Sequence, residues 1–281
     1  MKLGIGGIKM SGTQIQDLKY EFEQFALYSA PPEGTLHTFS AVELTVKENM
    51  SAFIQCYGPL MKALDDKAVA AYFANWLSYV AFSLQYSVSI HQSALVINHS
   101  NLLLHLIPSD GYCRVAFSLK EWNFIQSPID QVEREVWRKE IFTRFYRDTA
   151  EPLLSLISEI SGLTIGDVWG QLPTKFNYYV EDLETKISDC NVLMRLQEDY
   201  RFLINDLPAE VFGLSRNPFR VIVRKIEHLT DPEQTVQMRN RCCYYYSTDG
   251  GTYCYTCPRL KEEERAARRL EYREQMVSKE L

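Results

Sequence analysis

The chain has 281 residues, 46% of them hydrophobic and 23% charged, the proportions of a soluble globular protein long enough for one large domain or two smaller ones. Its net charge of −6 argues against nucleic acid as a partner. No run approaches the roughly 18 uncharged apolar residues of a membrane span. The opening MKLGIGGIKMSG lacks the apolar stretch and cleavage pattern of a signal peptide. The expected location is the cytoplasm, where structural disulfides are disfavoured and clustered cysteines point to metal or redox chemistry.

In chain order, residues 11–30 carry a helical pattern that ends at Pro31-Pro32, and 48–64 a second one interrupted by Gly58-Pro59. The apolar run from about Lys67 to Ile90 holds Asn, Ser, Gln and Tyr among its apolar residues and reads as a buried core helix. Two β-like runs follow, 93–97 and 102–107, with NHSN between them read as a hairpin turn. A third strand is expected at 112–119, after the turn signal PSDG. Helices then dominate. Ser127 is the expected N-cap and Pro128 the first residue of a helix running toward Asp148. A second helix continues past Pro152 to Ile160 and stops at Gly162. Two more fall in 164–188 and 190–206, Asn217-Pro218 breaks the helical pattern, and a charged helix closes the chain, its charges read as a solvated face. The expected fold is α+β, predominantly helical, with a small antiparallel β-sheet near residues 92–119. The chain divides into a scaffold over 1–210 and a C-terminal segment over 211–281.

Four of the seven cysteines fall between Cys242 and Cys257, spaced C-C-x10-C-x2-C. Four thiolates satisfy a tetrahedral zinc ion or a [2Fe–2S] cluster. Only Cys254 and Cys257 form the short knuckle of structural zinc sites. Adjacent side chains such as Cys242 and Cys243 point to opposite faces of extended backbone, which a binuclear cluster tolerates better than one ion. Pro258 follows the last cysteine, as in one ferredoxin ligand run. Gly250-Gly251 supply a turn, and five nearby tyrosines either shield a cluster or simply pack. At this point a cluster, a zinc clip and a dithiol pair all stay open.

The segment RNRCCYYYSTDGGTYCYTCP resembles the C-terminal signature of the FhuF-like ferric-siderophore reductases, which also carries an arginine shortly before the paired cysteines. GLSRNPF upstream resembles that family's Asn-Pro segment. The resemblance covers about the last 70 residues, so 211–281 is the expected iron–sulfur cluster-binding region and 1–210 the expected helical and β scaffold with the substrate-binding region. It implies one [2Fe–2S] cluster on Cys242, Cys243, Cys254 and Cys257, and one-electron reduction of siderophore-bound Fe(III) to Fe(II) for iron release. It does not extend to the siderophore-assembling ligases that share part of this pattern, since no phosphate-binding signature accompanies the four cysteines.

From Gly213 to Lys261 the chain nets +4 while the remainder nets −10. Oxidised clusters and many ferric siderophores are anionic, so the basic segment is expected near both. Arg239 and Arg241, with Arg216 and Arg220, are the expected substrate-binding residues for an anionic hydroxamate- or carboxylate-type siderophore. GIGGIK has Lys9 where a dinucleotide fingerprint needs its third glycine, so electrons are expected from a separate ferredoxin, flavodoxin or reductase. The alternative is a non-enzymatic zinc-binding interaction module. His91, His99 and His105 read as hairpin and core residues, and Cys56, Cys113 and Cys190 as inert packing residues.

Overall fold

A computed structural model describes residues 12–280, with side chains from Leu18 to Met276. The GIGGIK motif lies outside the described residues. The elements are α1 (Gly12–Glu23), β1 (Leu27–Tyr28), β2 (His37–Ser40), α2 (Lys47–Leu60), α3 (Asp66–Ile90), β3 (Ser93–Leu95), β4 (Leu102–Ser109), β5 (Tyr112–Leu119), β6 (Phe124–Gln126), α4 (Gln131–Phe145), α5 (Glu151–Ser161), α6 (Ile165–Trp169), α7 (Leu172–Lys186), α8 (Cys190–Asn205), β7 (Lys225–Glu227), β8 (Thr235–Gln237) and α9 (Glu262–Glu280). The fold is α+β and mostly helical. α3 is its centre: Asp65 caps it through the Ala68 amide, and its apolar residues are buried on nearly every side. That all-round burial accounts for the apolar run. No helix among the described residues is long and apolar enough to cross a membrane.

The sheet differs from the expected hairpin. β3 pairs with β6, not with β4 (Ser93↔Gln126 through Leu95↔Phe124). The hairpin is β4–β5, closed by the two-residue turn Asp110-Gly111 with Gly111 at φ 81°. Asp-Gly matches the right-handed twist of the paired strands, whereas NHSN has no such preference. Instead Asn98 accepts from the Asn101 amide, and the Asn101 side chain donates to Val96 O and Glu121 O, so this segment ties the two sheets together. The main sheet runs β1-β5-β4-β2, antiparallel except for the β1–β5 pair.

The helix after the sheet is capped by Asp130, not by Ser127. The Asp130 carboxylate accepts from the Val132 and Glu133 amides, each at 3.0 Å. A carboxylate is the stronger acceptor for orphan amides, and at a helix N-terminus its charge also complements the dipole. α4 and α5 are joined by a π-helical turn at Tyr146–Ala150. Pro152 has no N–H and its ring crowds the preceding turn, and the wider turn relieves both. Gly162 ends α5 at φ 69°, as expected. Pro59 falls in the last turn of α2, which continues to Leu60.

His105 lies fully buried between β2 and β5, with Nδ1 3.0 Å from Thr38 Oγ1 and Nε2 2.8 Å from Ser118 Oγ. Two hydroxyls suit a neutral ring, and burial pushes its pKa down from 6.5 to about 4. The unfolded ring therefore takes up a proton at higher pH than the folded one. The stability this site contributes is full above about pH 6.5 and is lost as pH falls toward about 4, by on the order of 2–3 kcal/mol. Urea unfolding at pH 7 and pH 5 should show that loss in the native chain, and a smaller one in His105→Gln.

Candidate metal centre

After α8 the chain turns at Gly213 and crosses the surface as coil. Asn217 fixes this coil: its amide donates to Leu203 O at 2.7 Å and Leu207 O at 3.0 Å, and its carbonyl accepts from the Phe219 amide. Phe219 is buried against Tyr146, Phe176 and Phe212. The β7–β8 ribbon follows, and Arg239 then begins the cysteine segment.

The segment is folded by four local devices. Tyr244 adopts φ 61°, so the chain reverses directly after Cys243. Tyr245–Ser247 form a 3-10 turn. Gly251 passes so close to it that a Cβ there would stand 1.9 Å from Tyr245 O, so only glycine fits. Cys254-Tyr-Thr-Cys257 is a turn closed by the Cys257 amide on Cys254 O at 2.9 Å. The segment docks on the helical scaffold. Gln171 donates to Cys242 O, Ser247 donates to Asp65, and Asp249 N donates to Lys62 O.

The four cysteines come together as two pairs. Cys242 and Cys257 are buried with their sulfurs 3.6 Å apart. Cys243 donates to Cys254. Two thiolates on one tetrahedral metal, with bonds of about 2.3 Å, stand about 3.8 Å apart. The Cys242–Cys257 separation is close to that spacing. Backbone amides aim at the sulfurs in a repeated way: Tyr245 N at Cys243 and Arg259 N at Cys257, the latter at 3.4 Å, each donated from two residues after its cysteine. The hydrogen bond from Cys243, with the Arg239 charge close by, holds the Cys254 thiol down at about 5. The same bond, then burial, raises Cys243, and burial raises Cys257 to about 11. Among the described residues no group of three or more His, Cys, Asp or Glu is placed to hold a single metal ion.

The tyrosines divide. Tyr244 joins the main core, while Tyr246 and Tyr253 cover Cys242 and Cys257, their rings 4.8 Å apart. Arg259 reaches both Tyr244 and Tyr246 hydroxyls at 3.1 Å and lies over the Tyr244 ring. The closing helix is not simply a solvated face. Arg265 is buried and donates to Cys257 O, Leu260 O and Tyr255 O. Arg268 donates to Tyr253 O, Arg269 to the Tyr255 hydroxyl, and Arg273 to His228 O. Sequence reasoning missed these arginines because many of their partners are backbone carbonyls of distant loops, which leave no pattern in sequence.

Of the expected substrate residues, Arg239 alone touches a cysteine, through a hydrogen bond to Cys254. Arg241 is 54% exposed, 3.6 Å from Asp167, and lies against Gly170, where a Cβ would stand 2.4 Å from its Cγ. Arg216 and Arg220 are exposed on the coil and contact no cysteine among the described residues. A cleft of about 460 Å³ opens beside the Cys243–Cys254 pair, lined by Lys62, Tyr72, Trp76, Tyr112, Tyr245 and Asp249. Tyr72 joins cleft to cysteines: burial, then its electrostatic interaction with Cys243, raise it above the ordinary phenol value. His91 lies 3.1 Å from Glu21, and His99 donates to Thr149 O, so neither forms part of the site. Cys113 is buried as expected, whereas Cys190 is exposed at the start of α8, a position the sequence read as packing. The chain matches no protein-family model, and no curated protein matches it.

Proposed function

We propose that Cys242, Cys243, Cys254 and Cys257 hold a [2Fe–2S] cluster, and that the protein reduces siderophore-bound ferric iron to ferrous iron in the cleft beside them. The observation that carries this reading is the two-by-two grouping of the sulfurs. A binuclear centre takes two protein ligands on each of two irons, whereas a zinc clip needs all four sulfurs around one point. The adjacent pair Cys242-Cys243 is divided between the two groups, as opposite-pointing neighbours must be. When bound, the cluster supplies one electron at a time. Ferrous iron binds hard oxygen ligands more weakly than ferric iron, so the reduced chelate lets its metal go.

The chain's own residues have three tasks in this reading. Tyr246, Tyr253 and Leu260 keep water from Cys242 and Cys257, and the amides of Tyr245 and Arg259 stabilise thiolate charge. Arg239 offsets negative charge at Cys254. The cleft, lined by Lys62 and with Arg239 acting on its Tyr72 wall, receives the chelate. Iron and acid-labile sulfide analysis with a visible spectrum tests the reading. The expected result is a reddish-brown protein with about two irons and two sulfides per chain. Colourless protein with stoichiometric zinc and no sulfide, prepared without oxygen, overturns it in favour of a zinc-binding interaction module.

Arg239→Gln should lower the midpoint potential by roughly 40–170 mV, because a contact charge at a partly exposed site is worth roughly 1–4 kcal/mol and reduction adds negative charge beside it. A redox titration measures this. An unchanged potential with a raised Michaelis constant would make Arg239 a substrate ligand and not a tuning charge.

A further inference from the structure

Residues 213–224 form an exposed strip with a fixed shape. Asn217 and Phe219 hold it from beneath, while Arg216, Arg220, Ile222, Val223 and Arg224 face outward. Ile222 is 89% exposed and stands next to the exposed Val223, on coil anchored at Phe219 three residues away. Among the described residues no ion pair neutralises Arg216, Arg220 or Arg224, whereas Lys225 is paired with Glu181. The strip ends beside the cysteines. Arg224 O accepts from Met238 N at 2.8 Å, and the next residue is Arg239, which donates to Thr256 O and Cys254. Small ligands take concave sites, and the strip is outward-facing coil, while the cleft near Tyr72 is concave.

We infer that this strip is the docking face for an acidic electron-carrier protein. The inference rests on the cluster reading above. The carrier gives up one electron and the cysteine site gains it, with no proton or leaving group transferred. Unpaired arginines around an apolar centre suit such a partner: the charges steer encounter and fix orientation, and Ile222 and Val223 supply the area that excludes water. The rest of the chain nets negative, which favours this strip over the remaining surface for an acidic partner.

The test uses the full chain and an acidic plant-type [2Fe–2S] ferredoxin as probe, with binding of the oxidised ferredoxin measured without turnover. Arg220→Glu with Arg224→Glu should raise Kd at least about tenfold at low salt, and Ile222→Ser about fivefold. The charge effect should fade toward 1 M salt, where the Debye length is about 3 Å. Reduction by dithionite should keep its native rate in every variant, which shows that fold and site are intact. Unchanged Kd in these variants overturns the docking face, as does equal weakening by the distant Lys47→Glu. So does capture of phosphatidylserine vesicles, but not ferredoxin, through the same residues. A chain that holds no sulfide and takes no electrons from dithionite overturns the cluster reading instead, so the two failures are distinct.

Discussion

Serine in place of any one of Cys242, Cys243, Cys254 or Cys257 is expected to strip the purified protein of its colour. Iron and sulfide should fall from about two of each per chain to less than about a tenth of that. Each cysteine belongs to a pair, so losing one leaves its partner without the second thiolate that completes a metal's shell. Serine oxygen is a harder ligand and stays protonated where a thiol ionises, so it does not substitute. Cys190→Ser, exposed at the start of α8, and Cys56→Ser, half-buried on α2, should leave the visible spectrum unchanged. Bleaching by Cys190→Ser with full colour in Cys254→Ser would mean the ligands are wrongly assigned. Loss in one pair only would mean that two of the cysteines, and not four, hold the metal.

The second large effect is on stability. Asp199 is fully buried on α8 and accepts both guanidinium nitrogens of Arg134, one of Arg138, and the hydroxyl of Ser89. Asp199→Ala leaves two buried guanidinium groups without their carboxylate. The expected cost is about 3–5 kcal/mol, read as a drop of roughly 10 °C in Tm by circular dichroism. Replacing Asp199, Arg134 and Arg138 together by Leu, Met and Met should cost far less, because no charge is then stranded. A Tm within about 2 °C of native for Asp199→Ala would show that water or rearrangement screens these arginines.

Local signals were legible where one residue's chemistry decides the backbone. Gly162 stops α5 because it alone takes φ 69° without a Cβ penalty, and the length and composition of α3 announce a buried helix. Pairing was not legible in the same way. β3 and β4 are close in sequence and both apolar, yet β3 pairs with β6 across a separate sheet. A short strand buried on α3, its Leu95 amide bonded to the Ser87 hydroxyl, is committed by packing and not by the turn beside it. Asp130 displaced Ser127 as cap for a similarly local reason that the Ser-Pro pattern hid.

At the proposed centre, the sequence by itself determined the donor set. Four thiols in sixteen residues, with a two-residue spacer and a double glycine, gather the donors that the proposed metal or redox chemistry uses. Tertiary structure decided which sulfur meets which, because adjacent cysteines face opposite ways and only the reversal at Tyr244 brings Cys243 to Cys254 and Cys242 to Cys257. It also decided the fate of the arginines. Charge is countable in a sequence, but its role depends on what lies within a few ångströms. Arg265 is buried on loop carbonyls, Arg239 sits at Cys254, and Arg216 and Arg220 are held outward because Asn217 and Phe219, their neighbours in the chain, are anchored in the core.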